Sequence, residues 1–549
     1  MTAPPSRGLL ARVDALAPDA VLIEDERGSW TTAAVRDQAS RTAAALHGLP
    51  PGARFAVLAK NRAAYVAAYL AAAWTGAVIV PLNGNLTPTE LRWQLDHAHA
   101  RLVLCGASHA AVLAPLRADG PTDREWRCFD AVDGWDGLPE GPAPTRAEPD
   151  PHRPIVQMYT SGTTGRPKGA LLTEANLLAL VDAWLTEMPL APGDRTLQVT
   201  PLFHVGALMM VLCNLSAGAT LVLPPEFTPG GALRALRERG VTHTLMVPAM
   251  IRWLLMEAAA GPPAPLAPTL RALVYGAAPM PTALLTEAAA ALGCDLLQGY
   301  GLTETAGVLT VLRPDDHRAA LAAAFSAVGP SSLARHPAVG RPDLALAASA
   351  VPEPAVGPDP AARLRAAGRP LRCCEIRVVD RDGNLLPPGE AGEVIARGAN
   401  ITPGYADDPQ ATAEALRDGW FHTGDVGYLD ADGYLFLVDR LKDMILVGGE
   451  NVYSREVEEA LEAHPAVREV AVVGAPHPVF GEEVVAFVVA DGEPGALARE
   501  LIRHCRQRLA RYKCPTRVEL RPALPRNAAG KLKKSDLRAP LWATHDRPI

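Results

Sequence analysis

One stretch of eleven residues concentrates the groups that handle anions: Tyr159-Thr160-Ser161-Gly162-Thr163-Thr164-Gly165-Arg166-Pro167-Lys168-Gly169. A strand-like run, 155–159, leads into three glycines, four hydroxyl side chains and one lysine. Glycines let backbone amides approach anionic oxygens, hydroxyls donate further hydrogen bonds, and the lysine supplies charge. The phosphates of a nucleotide suit such a nest. The Gly-Lys-Ser/Thr ending of a Walker A loop is absent, so this is a different phosphate loop. A flexible Gly/Thr linker is the bland alternative, and it does not account for the helix-like restart expected right after the loop.

Further segments carry polar groups beside glycines. In chain order they are Pro201-Leu202-Phe203-His204, Tyr275-Gly276-Ala277-Ala278-Pro279, Tyr300-Gly301-Leu302-Thr303-Glu304 and Phe421-His422-Thr423-Gly424-Asp425. Asp439-Arg440-Leu441-Lys442-Asp443, Gly448-Gly449-Glu450-Asn451-Val452-Tyr453 and Pro525-Arg526-Asn527-Ala528-Ala529-Gly530-Lys531 follow. With the phosphate loop, this ordered set resembles the adenylate-forming superfamily of acyl-CoA synthetases, nonribosomal-peptide adenylation domains and luciferases. The resemblance covers nearly the whole chain.

It implies ATP-dependent activation of a carboxylic acid to acyl-AMP, with pyrophosphate released, then acyl transfer to coenzyme A. A carboxylate and a triphosphate repel each other, so the site must align them and cancel charge. Mg²⁺ is the implied counter-ion, with Glu304 as its ligand. Thr303 would hydrogen-bond the α-phosphate. Thr160, Ser161, Gly162, Thr163, Thr164, Gly165 and Lys168 would cradle phosphates, while Gly276, Ala277, Ala278, Tyr300 and Gly301 would border the nucleotide and acyl group. Asp425 would accept from the ribose hydroxyls, and Arg440 would reach the same region. Lys531 is the implied catalytic lysine, bridging the attacking carboxylate and the α-phosphate. It sits near Lys533 and Lys534 in a charge run that, taken alone, reads as a solvated tail. His204 would flank the acyl pocket and gate the thiol. Lys442 falls at the implied hinge, and Gly448 and Gly449 face the implied pantetheine tunnel.

The Gly-Gly-Glu-Asn-Val-Tyr loop, and a Pro-Leu-Phe-His motif without an aspartate for an amino group, favour the acyl-CoA synthetase branch (fatty-acid or 4-coumarate-CoA-ligase-like). An acyl pocket is expected from 204–209, 246–250, 275–279 and 299–309, mostly apolar, which suits an aromatic or medium aliphatic acid. The alternatives are an adenylate passed to an amine or carrier-protein thiol, an unusual oxyanion as substrate, or a non-catalytic nucleotide-binding homologue. Loss of Lys531, Glu304 or Asp425 would mark the last, and all three are present.

These residues need a scaffold, and 549 residues call for more than one core. Hydrophobic residues are 48% and charged residues 21%, with a net charge of −7, so bulk electrostatics does not invite nucleic acid or an anionic membrane. Eight cysteines, with Cys373 beside Cys374 and no metal-like spacing, fit a reducing cytoplasm. The apolar run 63–82 breaks at Thr75-Gly76, which predicts a buried helix and then a buried strand rather than a membrane span. β-Branched runs at 55–59, 78–82, 102–104, 220–223 and 273–275 alternate with Ala/Leu-rich stretches, predicting α/β layers with mainly parallel strands. From about residue 370, Asp-Gly turns predict antiparallel hairpins and a small β-barrel-like subdomain.

The expected division is 1–439, an α/β domain binding nucleotide and acyl group, and 440–549, a small mobile α+β domain of about a hundred residues. In the latter, Ser454 is the expected cap of a helix. The stretch 313–370 reads as the least structured, with an insertion over about 313–367 that exceeds typical relatives by roughly 35 residues. The family resemblance also allows a homodimer.

Overall fold

The computed structural model describes residues 8–130, 134–160, 167–262, 264–278, 280–327, 360–440, 443–447, 450–478, 480–490, 493–526 and 532–543. Two compact units form: Met1–Ile376 with Ala396–Phe421, and Arg377–Ile395 with His422–Ile549.

The first unit is layered α/β. Its nine-stranded sheet has the spatial order Arg369–Pro370, Thr310–Leu312, Asp295–Tyr300, Ala272–Gly276, His243–Met246, Arg195–Leu197, Thr220–Val222, Val21–Asp25 and Gly28–Thr31. From Asp295–Tyr300 to Val21–Asp25 every pairing is parallel, and the outer strands are antiparallel. A six-stranded sheet orders Glu125–Cys128, Leu102–Cys105, Arg54–Leu58, Val78–Pro81, Pro154–Thr160 and Lys168–Thr173, and only its last pair is antiparallel.

Parallel strands joined by helices are buried on both faces, which is why they read as unbroken apolar runs. The helix Ala63–Thr75 is buried except at Ala73 and Trp74, ends at Gly76 in the left-handed region (φ 70°), and leads into Val78–Pro81. No helix among the described residues is long and apolar enough to cross a membrane.

Two expectations change here. The stretch after Leu312 is not structureless at its start: Pro314–Ala327 is a helix, with His317 and Ala320 each 1% exposed. Its Asp316 accepts from the backbone of Arg313 (3.0 Å), and the Arg313 side chain forks onto Glu187 at 2.7 Å. The segment after the phosphate loop is a strand, Lys168–Thr173, pairing with Pro154–Thr160. The helix starts only at Glu174, under a capping box of Thr173 with Asn176.

In the second unit, the long hairpin Val467–His477 and Gly481–Ala490 carries Arg517–Leu520 parallel on its other side. Helices Ser454–Glu462 and Pro494–Arg506 contribute to an apolar core with these strands. An Asp-Gly turn joins Trp420–Leu429 to Leu435–Arg440 as the composition predicts, with Asp430 accepting from Asp432 and Tyr434.

Ser454 is not the helix cap. It is the first helical residue, after Tyr453, and its amide is capped by the Asp439 carboxylate. Its hydroxyl instead takes a hydrogen bond from Lys534 (2.5 Å). Lys534 is therefore no solvated tail: it pairs with buried Glu458 at 2.7 Å, and Glu458 also accepts from the Val472 amide. Burial opposes the ammonium charge, but Glu458, Asp439 and Asp443 outweigh it and raise the lysine's pKa. Lys533 meets Asp536 at the surface.

Removing one partner of a buried pair strands the other charge, so Lys534→Met should destabilise this unit by about 3–5 kcal/mol. Lys534→Met with Glu458→Gln should lose clearly less. Urea unfolding followed by circular dichroism compares them, and equal losses in the two variants would contradict the charge argument.

Candidate active site

The strands His243–Met246, Ala272–Gly276 and Asp295–Tyr300 run parallel and in register, Met246 opposite Tyr275 and Gly276 opposite Gly299. Their carboxyl ends therefore leave the sheet along one edge, the usual place for ligands in such sheets. That edge receives 246–250, Gly276-Ala277-Ala278 and Tyr300-Gly301. Arg195–Leu197 runs beside them and leads to Phe203 and His204. His204 occupies the N-cap position of the helix Val205–Ala217, with its ring 4.5 Å from that of Phe203.

Close backbone approach explains two of these glycines. A β-carbon on Gly276 would lie 2.2 Å from the Gly299 carbonyl oxygen, and one on Gly301 would lie 2.6 Å from the Gly307 carbonyl oxygen. Ala277 adopts φ 63° and Ala306 φ 57°, a region that costs a residue with a side chain of order 1–3 kcal/mol. Strain of this kind is held in place by packing around it, and here it flanks two of the glycine motifs.

The phosphate loop is described through its two ends. Thr160 pairs with Lys168, and Tyr159 with Gly169. Ser161, Gly162, Thr163, Thr164 and Gly165 lie outside the described residues, as does Pro279.

Beside those ends stands Glu304, 7% exposed, in the short 3₁₀ turn Thr303–Thr305. Its Oε1 accepts from the Tyr405 hydroxyl (2.9 Å) and the Thr160 hydroxyl (3.3 Å). Its backbone carbonyl accepts from the Thr402 amide at 2.7 Å. The Lys168 ammonium sits 5.3 Å from the centre of the Tyr405 ring. Burial, followed by the Glu304 charge, pushes the Tyr405 phenol upward, so it remains a protonated donor.

Thr160, Lys168 and Glu304 are thus brought together, and Thr303 opens the same turn. Sequence reasoning missed Tyr405. It also missed Asn400, whose buried amide donates to the Thr305 and Val308 carbonyls, 3.0 Å each, and so holds the turn. A polar pair around Pro403-Gly404 after an apolar strand was the only signal available.

In the second unit, taken by itself, Asp425 is 5% exposed and lies opposite Arg440 in the hairpin, Arg440 Nε 3.1 Å from Asp425 Oδ1. The Asp425 amide donates to Thr423 Oγ1 (3.0 Å), whose hydroxyl donates to the Val394 carbonyl (2.6 Å). Glu393 accepts from the Gly424 amide at 3.3 Å and contacts His422 at 2.8 Å. The Thr-Gly-Asp turn is braced at each residue. Lys442, Gly448, Gly449 and Lys531 lie outside the described residues. The ends of the segment carrying Lys531 are tied together: Arg526 bridges Leu532, and the Lys533 amide donates to the Pro525 carbonyl at 2.9 Å.

The residues fit a hard divalent cation. Glu304 is a buried carboxylate whose Oε2 has no hydrogen bond and which has no ion-pair partner among the described residues. Such a group calls for positive charge, and one or two carboxylates plus phosphates is how Mg²⁺ is usually held.

Known proteins resemble this chain over most of its length. A family model described as AMP-binding enzyme matches residues 10–406, and one described as AMP-binding enzyme C-terminal domain matches residues 456–531. A feruloyl-CoA synthase of Amycolatopsis sp is 36% identical over 539 residues, covering 95% of this chain and 96% of the relative. A fatty acid–[acyl-carrier-protein] ligase of Streptomyces coeruleorubidus is 36% identical, covering 91% and 89%. The solved o-succinylbenzoate coenzyme A synthetase of Bacillus subtilis, in complex with ATP and magnesium, superposes with a TM-score of 0.77 at 29% identity, covering 97% and 98%.

The strand Ala272–Gly276 is backed by a titratable group. Tyr275 donates its hydroxyl to His317 Nε2 (2.8 Å), and His317 Nδ1 donates to the Arg313 carbonyl (2.8 Å). Burial holds His317 neutral, with its pKa lowered to about 4, and does the same for His243 on the neighbouring strand, also to about 4. A folded pKa below the unfolded value means stability is full above the unfolded pKa of about 6.5 and lost as pH falls toward the folded one. Each histidine should cost about 1.4 kcal/mol per pH unit in that window. Urea titrations of the parent and of His317→Gln at pH 7, 6 and 5 should give a shallower fall for the variant, and identical slopes would refute the assignment.

Proposed function

The chain belongs to the AMP-binding enzyme family, in the acyl-CoA synthetase branch of the adenylate-forming superfamily, and from that premise we infer that it is an AMP-forming acid–CoA ligase. ATP with Mg²⁺ and coenzyme A are its co-substrates. One observation carries the reading: the buried Glu304 carboxylate, with no ion-pair partner among the described residues, beside the Thr160–Lys168 mouth of the phosphate hairpin.

A carboxylate oxygen of the acid attacks the α-phosphorus and the bond to pyrophosphate breaks. The coenzyme A thiolate then attacks the acyl carbon, and AMP leaves. Mg²⁺, when bound, neutralises the phosphate charge. Thr160, Lys168 and the loop residues 161–165 hold the phosphates, and Thr303 donates to the α-phosphate. Asp425 and Arg440 hold the ribose region. Lys531 stabilises the charge that develops as the carboxylate attacks. His204, at the head of its helix, shapes the entry to the acyl pocket. Residue 440 onward acts as the mobile functional domain, hinged at Lys442, with Gly448 and Gly449 along the thiol path. The apolar lining at 204–209 and 246–250 and the feruloyl-CoA synthase relative support an aromatic or medium aliphatic acid, and ATP and coenzyme A use supports a cytoplasmic enzyme.

A carrier-protein thiol as the acceptor is the second reading, favoured by the 36% identity to the acyl-carrier-protein ligase.

Mass spectrometry of reactions with ATP, Mg²⁺ and a panel of aromatic and aliphatic acids decides between them. Acyl-CoA forming with one acid, with AMP release dependent on that acid, is expected. Acyl-AMP that accumulates unchanged with coenzyme A but is consumed by a pantetheinylated carrier protein would favour the second reading. Lys531→Ala should lower acyl-AMP formation by about a hundredfold or more, and a parental rate would sink the assigned mechanism.

A further inference from the structure

Glu304 differs at its two oxygens. Oε1 accepts two hydroxyl hydrogen bonds, from Tyr405 at 2.9 Å and Thr160 at 3.3 Å, while Oε2 accepts none among the described residues. Hydrogen bonds to an ionised carboxylate are stronger than neutral ones, and two at one oxygen fix the plane and rotamer of the group. A carboxylate left to rotate would have to be ordered each time a cation bound, at the cost of side-chain entropy.

Tyr405 is well placed to spare that cost because its own backbone is tied down. It bridges Ala170, while the Leu171 amide donates to the Gly404 carbonyl at 3.0 Å and the Ala406 amide to the Gly169 carbonyl at 2.8 Å. The strand that anchors it, Lys168–Thr173, is the same one that closes the phosphate hairpin. Position of the carboxylate and position of the phosphate loop are therefore referred to one strand.

We infer that Tyr405 is a positioning residue for the metal-nucleotide complex: its hydroxyl, helped by that of Thr160, engages Oε1 of Glu304 and leaves Oε2 as the oxygen that meets the divalent cation. The inference rests on the reading of Glu304 as the metal ligand. Tyr405 touches neither nucleotide nor metal in this role. A tyrosine that merely filled space would leave metal-dependent and metal-independent nucleotide binding equally affected by loss of its hydroxyl.

Calorimetric titration of the full-length enzyme separates these roles, with Mn²⁺ plus ATP in one series and ATP in excess EDTA in the other. Tyr405→Phe keeps the ring and backbone contacts and removes only the donor. It should raise the Kd for the metal-nucleotide complex about tenfold, while the Kd for metal-free ATP changes less than about twofold. Thr160→Val, which loses the longer hydrogen bond together with a phosphate contact, should weaken ATP both with and without metal, the metal-nucleotide complex by about two- to threefold more. That variant provides an independent arm should Tyr405→Phe fail to fold. Glu304→Gln, titrated in parallel, should abolish the gain in affinity that the metal provides.

If Glu304→Gln behaves so while Tyr405→Phe binds the metal-nucleotide complex like the parent, or Thr160→Val loses equally with and without metal, the positioning inference is overturned and the metal-ligand reading stands. Equal weakening with and without metal in Tyr405→Phe would also overturn it. A Glu304→Gln enzyme that keeps the metal's gain would remove the reading beneath the inference, and the inference with it.

Discussion

A carboxylate taken out of water needs compensation, and among the described residues around Glu304 it comes from hydroxyls, those of Tyr405 and Thr160. Two donors at one oxygen orient the group, and among the described residues no ion-pair partner joins it beside the phosphate hairpin. Two anionic partners in one place make sense when a divalent cation arrives with the nucleotide. Much of the surrounding structure serves that arrangement. Asn400 fixes the turn that carries Glu304, the Thr402 amide donates to the Glu304 carbonyl, and Tyr405 is stitched to the strand behind the phosphate loop.

The same logic of shared reference operates along the sheet edge. Parallel in-register strands cannot shift singly without breaking a ladder on both sides, so motifs carried at their carboxyl ends are spaced by the sheet itself. Gly276 and Gly301 let neighbouring backbones meet where a methyl group would not fit, and Ala277 tolerates a strained φ at the end of such a strand. In the second unit the Asp425–Arg440 pair is likewise a register fact, two residues facing across a hairpin whose turn is closed by Asp430.

Much of this was legible in the sequence because its causes are local or periodic. Apolar runs such as 55–59 and 102–104 announce buried parallel strands, and Thr75-Gly76 announces the end of a helix. Ordered motifs identified the family and named Glu304, Lys168, Asp425 and Arg440 as candidates. What escaped depends on contacts between distant positions. Ser454 looks like a cap, but Asp439 takes that task from fifteen residues away and frees the hydroxyl for Lys534. Lys534 looks like tail charge because its partner, Glu458, is 76 positions earlier in a different element. Tyr405 lies 101 positions after Glu304, and the polar pair around Pro403-Gly404 does not say what it meets. The strand after the phosphate loop was read as helical because Lys168-Gly169-Ala170-Leu171-Leu172 lacks the β-branched residues that mark the other strands, and pairing with Pro154–Thr160 overrides that preference.

The two units are not consecutive pieces of chain. The polypeptide leaves the first after Ile376, returns at Ala396 and departs again after Phe421, so the strands Cys374–Val379, Gly392–Gly398 and Trp420–Leu429 each begin in one unit and end in the other. During synthesis, then, a ribosome that has released everything up to Ile376 has delivered Glu304 but not Tyr405 or Asn400. The nascent first unit must wait through an excursion into the second before its buried carboxylate can be satisfied. Chain order thereby places the partners of the acidic turn after Arg369–Pro370, the last strand of its own sheet to be made.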